Sequence, residues 1–240
     1  MTATVLQLSD IHLTAAVGGP VNGIDPDARL ATVLAAWAAT GERADLILVT
    51  GDDADDGSPA AYQRLATAID PIGALALVIP GNHDDPAAVR AAFAAPTVAE
   101  VGGWRVAGFD SVVPGKIHGA IDAGSVTEVL DGVDDRPTVV AIHHPPRSPS
   151  THPWFRLDGA EQLLDALARR PHVRALVSGH LHQPFELKGA GGLQLLGAPS
   201  TNEPIDHHGD TFTAPGTCAT GARVLRLGED GALSSEILRA

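Results

Sequence analysis

Short aliphatic and β-branched runs recur along the chain at 4–9 (TVLQLS), 45–50 (DLILVT), 75–79 (LALVI), 104–109 (WRVAGF), 138–142 (TVVAI) and 173–178 (VRALVS), and each predicts a strand. Between several of them lie Ala- and Leu-rich stretches with helical spacing, at about 27–39, 59–69, 86–95, 125–131 and 158–169, some opened by Asp, Ser or Pro as helix starts are. In the first of these, Trp37 shares a face with Leu30, Val33 and Leu34, which assigns it to the core. The alternation predicts βα units around a largely buried sheet.

Past residue 183 the pattern changes. Short β segments at about 184–188, 193–197, 222–227 and 234–238, separated by Gly-rich turns such as GAGG, predict a mainly antiparallel second sheet or edge. The stretches 14–24, 144–157 and 200–221 carry little pattern. Each follows a chemical motif or lies close beyond one, so they are candidate walls of a site rather than linkers. No repeat, low-complexity tract or long linker divides the 240 residues, and one domain over 1–240 is expected.

Composition narrows the function classes. Hydrophobic residues make up 44% of the chain but aromatics only 4%, so Ala, Val, Leu and Ile must fill the core. The formal net charge of −13 opposes nucleic acid polymers and anionic membrane surfaces, while a small phosphorylated substrate held through bound cations stays compatible. The single Cys218 excludes an internal disulfide, no apolar run reaches about 18 residues, and the opening MTATVLQLSD lacks the features of a secretory signal. A cytoplasmic location is expected.

The chemistry gathers where predicted strands end. Asp10-x-His12 closes the first strand, Gly51-Asp52 the second and Gly81-Asn82-His83-Asp84 the third; His143-His144-Pro145 follows TVVAI, and Gly179-His180-Leu181-His182 follows VRALVS. Loops leaving adjacent strands converge at that edge in open α/β sheets. Asp10, His12, Asp52, Asn82, His143, His180 and His182 supply two carboxylates, an amide oxygen and four imidazoles, a thiolate-free set suited to Mn, Fe, Zn, Co or Ni. Seven donors exceed the needs of one ion. If Asp52 bridges, they divide into two groups of four around two ions about 3.5–4 Å apart. Glycines before Asp52, Asn82 and His180 let the chain turn sharply toward the ligands, and Pro80 and Pro145 stiffen the edge.

Other readings of these residues are bland. Asp10, Asp52 and Asp84 could cap helices or turns. The acidic run Asp52-Asp53-Ala54-Asp55-Asp56 lacks the glycine and terminal glutamate of a calcium loop. His143 and His144 are neighbours whose side chains should diverge, which leaves one to ligate and the other to line the pocket. His152, His172, His207 and His208 read as surface histidines. Trp154 and Phe155 are candidates for a stacking wall against a substrate.

The ordered motifs D-x-H, G-D, G-N-H-D, H-x-P and G-H-x-H resemble those of the calcineurin-like metallophosphoesterases. The segments GDDADDGSPAAY, GNHDD, DSVVPGKIHG, HHPP and SGHLH are especially similar to the bacterial class III cyclic nucleotide phosphodiesterases, and the likeness runs from about Val5 to Leu196. The resemblance implies a four-layer α-β-β-α sandwich with two central mixed sheets and a dinuclear site at the C-terminal strand edge. It implies that Asp10, His12, Asp52 and His182 hold one metal, and that Asp52, Asn82, His143 and His180 hold the other. His83 would contact the phosphoryl group without binding metal, so His83, Asp52 and Asn82 are the catalytic candidates. His118, His144 and Trp154 join His83 as candidate substrate contacts. Asp53 departs from the family, which places an apolar residue there.

The expected activity is hydrolysis of small phosphodiesters, 3′,5′-cyclic nucleotides such as cyclic AMP first, through two Mn, Fe or Zn ions and a bridging hydroxide. Glycerophosphodiesters or phosphomonoesters would suit the same centre, and a homodimer is implied by the resemblance alone. A non-catalytic metal-binding scaffold should have lost a ligand, whereas all seven and His83 are present.

Overall fold

The computed structural model describes residues 2–94, 97–132 and 134–240. β1 (Ala3–Leu8), β2 (Leu46–Thr50) and β3 (Leu75–Ile79) lie side by side and parallel. β4 (Val98–Val101) pairs antiparallel with β5 (Trp104–Gly108) at the edge of a second sheet, which continues in parallel through β7 (Thr138–Ala141) and β9 (Val173–Ser178). Two short pairs sit outside these sheets, β6 (Gly119–Ala120) with β8 (Leu157–Asp158) and β12 (Asp206–His208) with β13 (Thr211–Thr213).

The late β segments do not form a sheet of their own. β10 (Phe185–Lys188) and β11 (Gln194–Gly197) extend the second sheet beyond β9, whereas β14 (Gly221–Leu227) and β15 (Leu233–Arg239) extend the first beyond β1. Of the two expectations, a second sheet or an edge, the antiparallel edge is the one found, once on each sheet. Side-chain alternation explains it: Ala222 and Val224 of β14 face the helices, while Leu225 and Leu227 face the other sheet. That two-sided burial completes the existing layers. Both sheets are therefore mixed.

Three apolar clusters define four layers. Leu30, Val33 and Trp37 of α1 (Pro26–Ala39) and Tyr62 and Leu65 of α2 (Pro59–Ile69), with Val89 of α3 (Pro86–Phe93), pack on Leu6, Leu8, Ile47 and Val49. Val5, Leu46, Leu48 and Leu77 meet Val106, Val139, Val177 and Leu196 between the sheets. Val126 and Leu130 of α4 (Ala123–Asp131) and Leu163 and Leu167 of α5 (Ala160–Ala168) cover the far face of the second sheet. Asp25-Pro26, Ser58-Pro59 and Asp85-Pro86 each place a capping side chain just before a proline at the first helical turn, which starts the three helices where they are needed.

The predicted elements recur with small shifts. α3 stops at Phe93 because Ala94 takes a left-handed conformation, and the predicted end of that helix at 95 falls outside the described residues. α5 begins at Ala160 rather than 158, since Leu157 and Asp158 pair with β6. β4, β6, β8, β12 and β13 are too short to leave a periodic signal. Among the described residues no helix is long and apolar enough to cross a membrane.

Candidate metal centre

The five motifs meet where β1, β2, β3, β7 and β9 end. Backbone bonds continue past the strands, Asp10 N to Gly51 O at 3.0 Å and His12 N to Asp52 O at 2.9 Å, so the first two motifs are locked together. Gly51 has φ near +89°, and a Cβ there would strike Gly81 and the His143 ring; a Cβ on Gly179 would strike Ser9 and Asp10. These glycines serve close approach as much as turning.

Asp10, His12, Asp52 and His182 form one buried cluster whose donor atoms lie within 4.8 Å of one another. Asp52 Oδ2 lies 3.8 Å from His12 Nε2 and 3.4 Å from His143 Nε2, so this carboxylate stands between the first cluster and a second. The second contains His143 and His180, with Asn82 Oδ1 3.2 Å from His143 Nε2. His144 also falls within reach, but its ring nitrogens are occupied by the Ser111 hydroxyl at 2.8 Å and the Ile117 carbonyl at 3.0 Å. Asn82 is thus the better-placed donor.

Each imidazole is oriented from behind. Nδ1–H of His143 donates to Thr50 O, Nδ1–H of His182 to Glu203 O, both at 2.7 Å, and Nδ1–H of His12 to Asp55 Oδ1 at 3.0 Å. Their Nε2 atoms are left facing inward. His180 is reversed: Nε2–H donates to Trp154 O at 3.2 Å, which presents Nδ1. Fixing one ring nitrogen so that the other can ligate is the usual support of a metal-binding histidine.

The backbone carries the same message. Seven non-glycine residues have positive φ among those described, and five of them are Asp10, His12, Asp52, His180 and His182. Such conformations cost about 1–3 kcal/mol each and persist where function requires them.

The titration behaviour follows from burial among carboxylates. Burial alone would lower His143, but the charge of Asp52 outweighs it and lifts the ring to about 9; burial likewise opposes Asp52, yet His143 and His12 hold its carboxyl well below the usual range. Burial lowers His180 and His182, which keeps those rings neutral and ready to donate. His12 and His182 bring their Nε2 atoms within 3.2 Å, an approach that a shared cation relieves. Oxygen and imidazole donors, all buried but the half-buried Asn82 and divided by one carboxylate, fit a pair of divalent ions.

Asp53 is fully buried, neither carboxylate oxygen has a partner, and burial with Asp84 and Asp52 nearby pushes its pKa well above the ordinary value. It does not point into solvent. Asp84 is a structural tie, accepting from the backbone nitrogens of Gly81, Asp53 and Ala54 and from the Tyr62 hydroxyl; burial and Asp52 raise it to about 6.

Above the clusters opens a cavity of about 280 Å³. The three unpatterned stretches all reach it, through Val21 and Asn22, Trp154 and Phe155, and Asn202, Glu203, Ile205 and Phe212. His83 lines it with 41% of its side chain exposed, its backbone N–H on Asp52 Oδ1 and its Nδ1–H on Asp55 O. Two expected substrate contacts lie elsewhere. His144 is completely buried behind His143 and His180, and burial holds its pKa near 3. His118 turns to Arg156 at 3.1 Å, and its neighbour Ile117 lines the cavity instead. His207, expected at the surface, is buried against Phe155 and donates to Leu181 O at 2.8 Å. Within the acidic run Asp52-Asp53-Ala54-Asp55-Asp56 nothing in the sequence sets Asp55 apart from its acidic neighbours; its bond to His12 appears only in the folded chain.

A four-layer sandwich with two abutting carboxylate–imidazole clusters at one strand edge defines a hydrolase centre of the two-metal type. The profile of the family described as calcineurin-like phosphoesterase matches residues 3–184, and the chain belongs to that family. It is similar to the 3′,5′-cyclic adenosine monophosphate phosphodiesterase of Pseudomonas aeruginosa, at 35% identity over 98% of this chain and 89% of that one. It is 32% identical to a probable cyclic nucleotide phosphodiesterase of Synechococcus over 99% of this chain and 92% of the other. In fold it matches a dimetal phosphatase from Danio rerio with a TM-score of 0.67, at 13% identity over 98% of this chain and 99% of that one.

Proposed function

We propose that the chain is a metal-dependent phosphodiesterase acting on 3′,5′-cyclic nucleotides, cyclic AMP first. The observation that carries this reading is Asp52 Oδ2 standing between His12 and His143, one carboxylate shared by two buried donor clusters. The relatives named as cyclic nucleotide phosphodiesterases along nearly the whole chain support the substrate.

In this reading Asp10, His12, Asp52 and His182 hold one cation, and Asp52, Asn82, His143 and His180 the other. When bound, such a pair lowers the pKa of water to give a hydroxide nucleophile near neutral pH and neutralises phosphoryl charge. The chain's own residues position the ester. His83 is anchored through Nδ1–H on Asp55 O and lines the cavity; carrying a second proton on Nε2, it donates that N–H to the phosphoryl group and passes the proton to the leaving alkoxide. Trp154 and Phe155 form an apolar wall for the nucleoside.

Finer parts of the proposal are Mn, Fe or Zn as the metals, from the oxygen and nitrogen donors; a homodimer, from the free edges of both sheets; and a cytoplasmic site of action, from the lone Cys218. The test is metal content and cyclic AMP turnover in wild type and Asn82→Ala, before and after chelation. Turnover should vanish on chelation, return with metal, and fall at least about 100-fold in the variant. Turnover that survives complete metal removal overturns the reading.

A further inference from the structure

The cavity contains a carboxylate that the phosphoryl chemistry does not use. Glu203 is 6% exposed, lines the cavity, and makes no ion pair among the described residues. Its Oε2 accepts from Asn22 Nδ2 at 2.7 Å, joining two of the loops that wall the site, and its backbone oxygen accepts from His182. With Asn22 Nδ2 committed to Glu203, the amide oxygen of Asn22 is left as an acceptor. The next residue back, Asn202, is fully buried and lines the same cavity, yet neither its side-chain oxygen nor its nitrogen has a partner. Buried polar groups without partners call for an explanation in a native fold.

An anionic acceptor gains nothing from a phosphate, so this cluster must face another part of the ligand. Its apolar surroundings, Val21, Trp154, Ile205 and Phe212, suit the faces of a planar ring. A carboxylate and an amide oxygen side by side take N–H donors, and the donor that distinguishes nucleobases is the exocyclic amino group. We propose that Glu203, braced by Asn22 and flanked by Asn202, selects nucleotides whose base carries an exocyclic amino group. Sites built to pair a polar group reject analogues that lack it, because their own buried groups are then left unpaired.

This inference rests on the cyclic nucleotide reading, and the experiment separates the two. kcat/KM is measured for two pairs that differ only by the amino group: cyclic AMP against the cyclic phosphate of purine riboside, and cyclic GMP against cyclic IMP. Wild type should favour the amino-bearing member of at least one pair by about tenfold or more. In Glu203→Ala that ratio should fall to about 1, and because it is a ratio within one protein, any injury to the metal centre cancels. Should Glu203→Ala fail to fold, Asn22→Ala, in an exposed turn, carries the same comparison. Ratios near 1 in wild type, or a ratio unchanged in the variants, overturn the selection while leaving the phosphodiesterase reading intact. No turnover of any of the four nucleotides overturns both.

Discussion

His12 and Asp55 are joined by a 3.0 Å hydrogen bond from Nδ1–H to Oδ1, and the backbone oxygen of the same aspartate receives His83. Asp55 therefore orients a candidate metal ligand with its side chain and the candidate proton donor with its main chain. Asp55→Asn removes the charge but leaves the backbone contact. Metal affinity should fall about 10- to 100-fold, with a matching loss of activity at limiting metal that excess metal restores. Metal titration followed by calorimetry and by turnover checks it; unaltered affinity would assign Asp55 to structure alone.

Asp53 invites the opposite change. A buried carboxyl without a hydrogen-bond partner, beside two other carboxylates, is destabilising, and Asp53→Leu replaces it with apolar volume. In metal-stripped protein the variant should be more stable at neutral pH by about 1–3 kcal/mol. The sign with pH follows from the raised pKa: the folded state holds this proton where the unfolded chain has released it, so wild-type stability falls as pH rises above the ordinary aspartate value. The advantage of Asp53→Leu should thus shrink between about pH 7 and pH 4, down to the part owed to burying a neutral carboxyl without a partner. Denaturant unfolding across that range measures it.

Much of the centre was legible because each of these ligands follows a short, β-branched or aliphatic run that reads as a buried strand, which places Asp10, Asp52, Asn82, His143 and His180 at one edge. What the pattern could not convey were relations between distant segments. Asp55, His207 and Glu203 are polar residues in polar stretches, and only the packing of separate loops shows that His207 and Glu203 are enclosed and that Asp55 meets His12. The late strands were legible as strands but not as members of two sheets, since partner choice depends on which edges β1 and β9 leave open.

Arg223 shows what that partition requires. Fully buried on β14, it donates to Glu186 Oε1, Ser235 Oγ, Phe185 O and Gly197 O, and so ties the first sheet to β10 and β11 of the second. Arg223→Met keeps the stem but removes the donor to the Phe185 and Gly197 carbonyls, while Glu186 keeps Ser235 and solvent. It should cost about 2–4 kcal/mol of unfolding free energy, with little change in KM because the residue does not itself line the cavity. Denaturant melts alongside steady-state kinetics test both halves.

Trp154 is 48% exposed, and its backbone oxygen holds His180. Trp154→Ala preserves that carbonyl while deleting the ring, which separates positioning of the ligand from stacking on the nucleoside. KM for cyclic AMP should rise about 10-fold, as expected for the loss of one base–aromatic stack, with a much smaller effect on a glycerophosphodiester, which has no ring to stack. Equal effects on both substrates would place the ring against the phosphoryl end instead.

Metal loading should report on stability as directly as on activity. Asp10, His12, Asp52, His180 and His182 all hold left-handed backbone conformations, and the donor atoms of the first cluster converge to within 4.8 Å of one another. A ligand present at 100 times its dissociation constant stabilises the folded state by about 2.7 kcal/mol. In a chain of this length that corresponds to a rise of about 5–10 °C in Tm. Adding Mn or Zn to stripped protein should produce such a rise, and Asn82→Ala, which leaves the cluster of Asp10, His12, Asp52 and His182 intact, should keep part of it. A full rise in that variant would show that Asn82 holds no metal, whereas no rise in either protein would remove the two-ion centre itself.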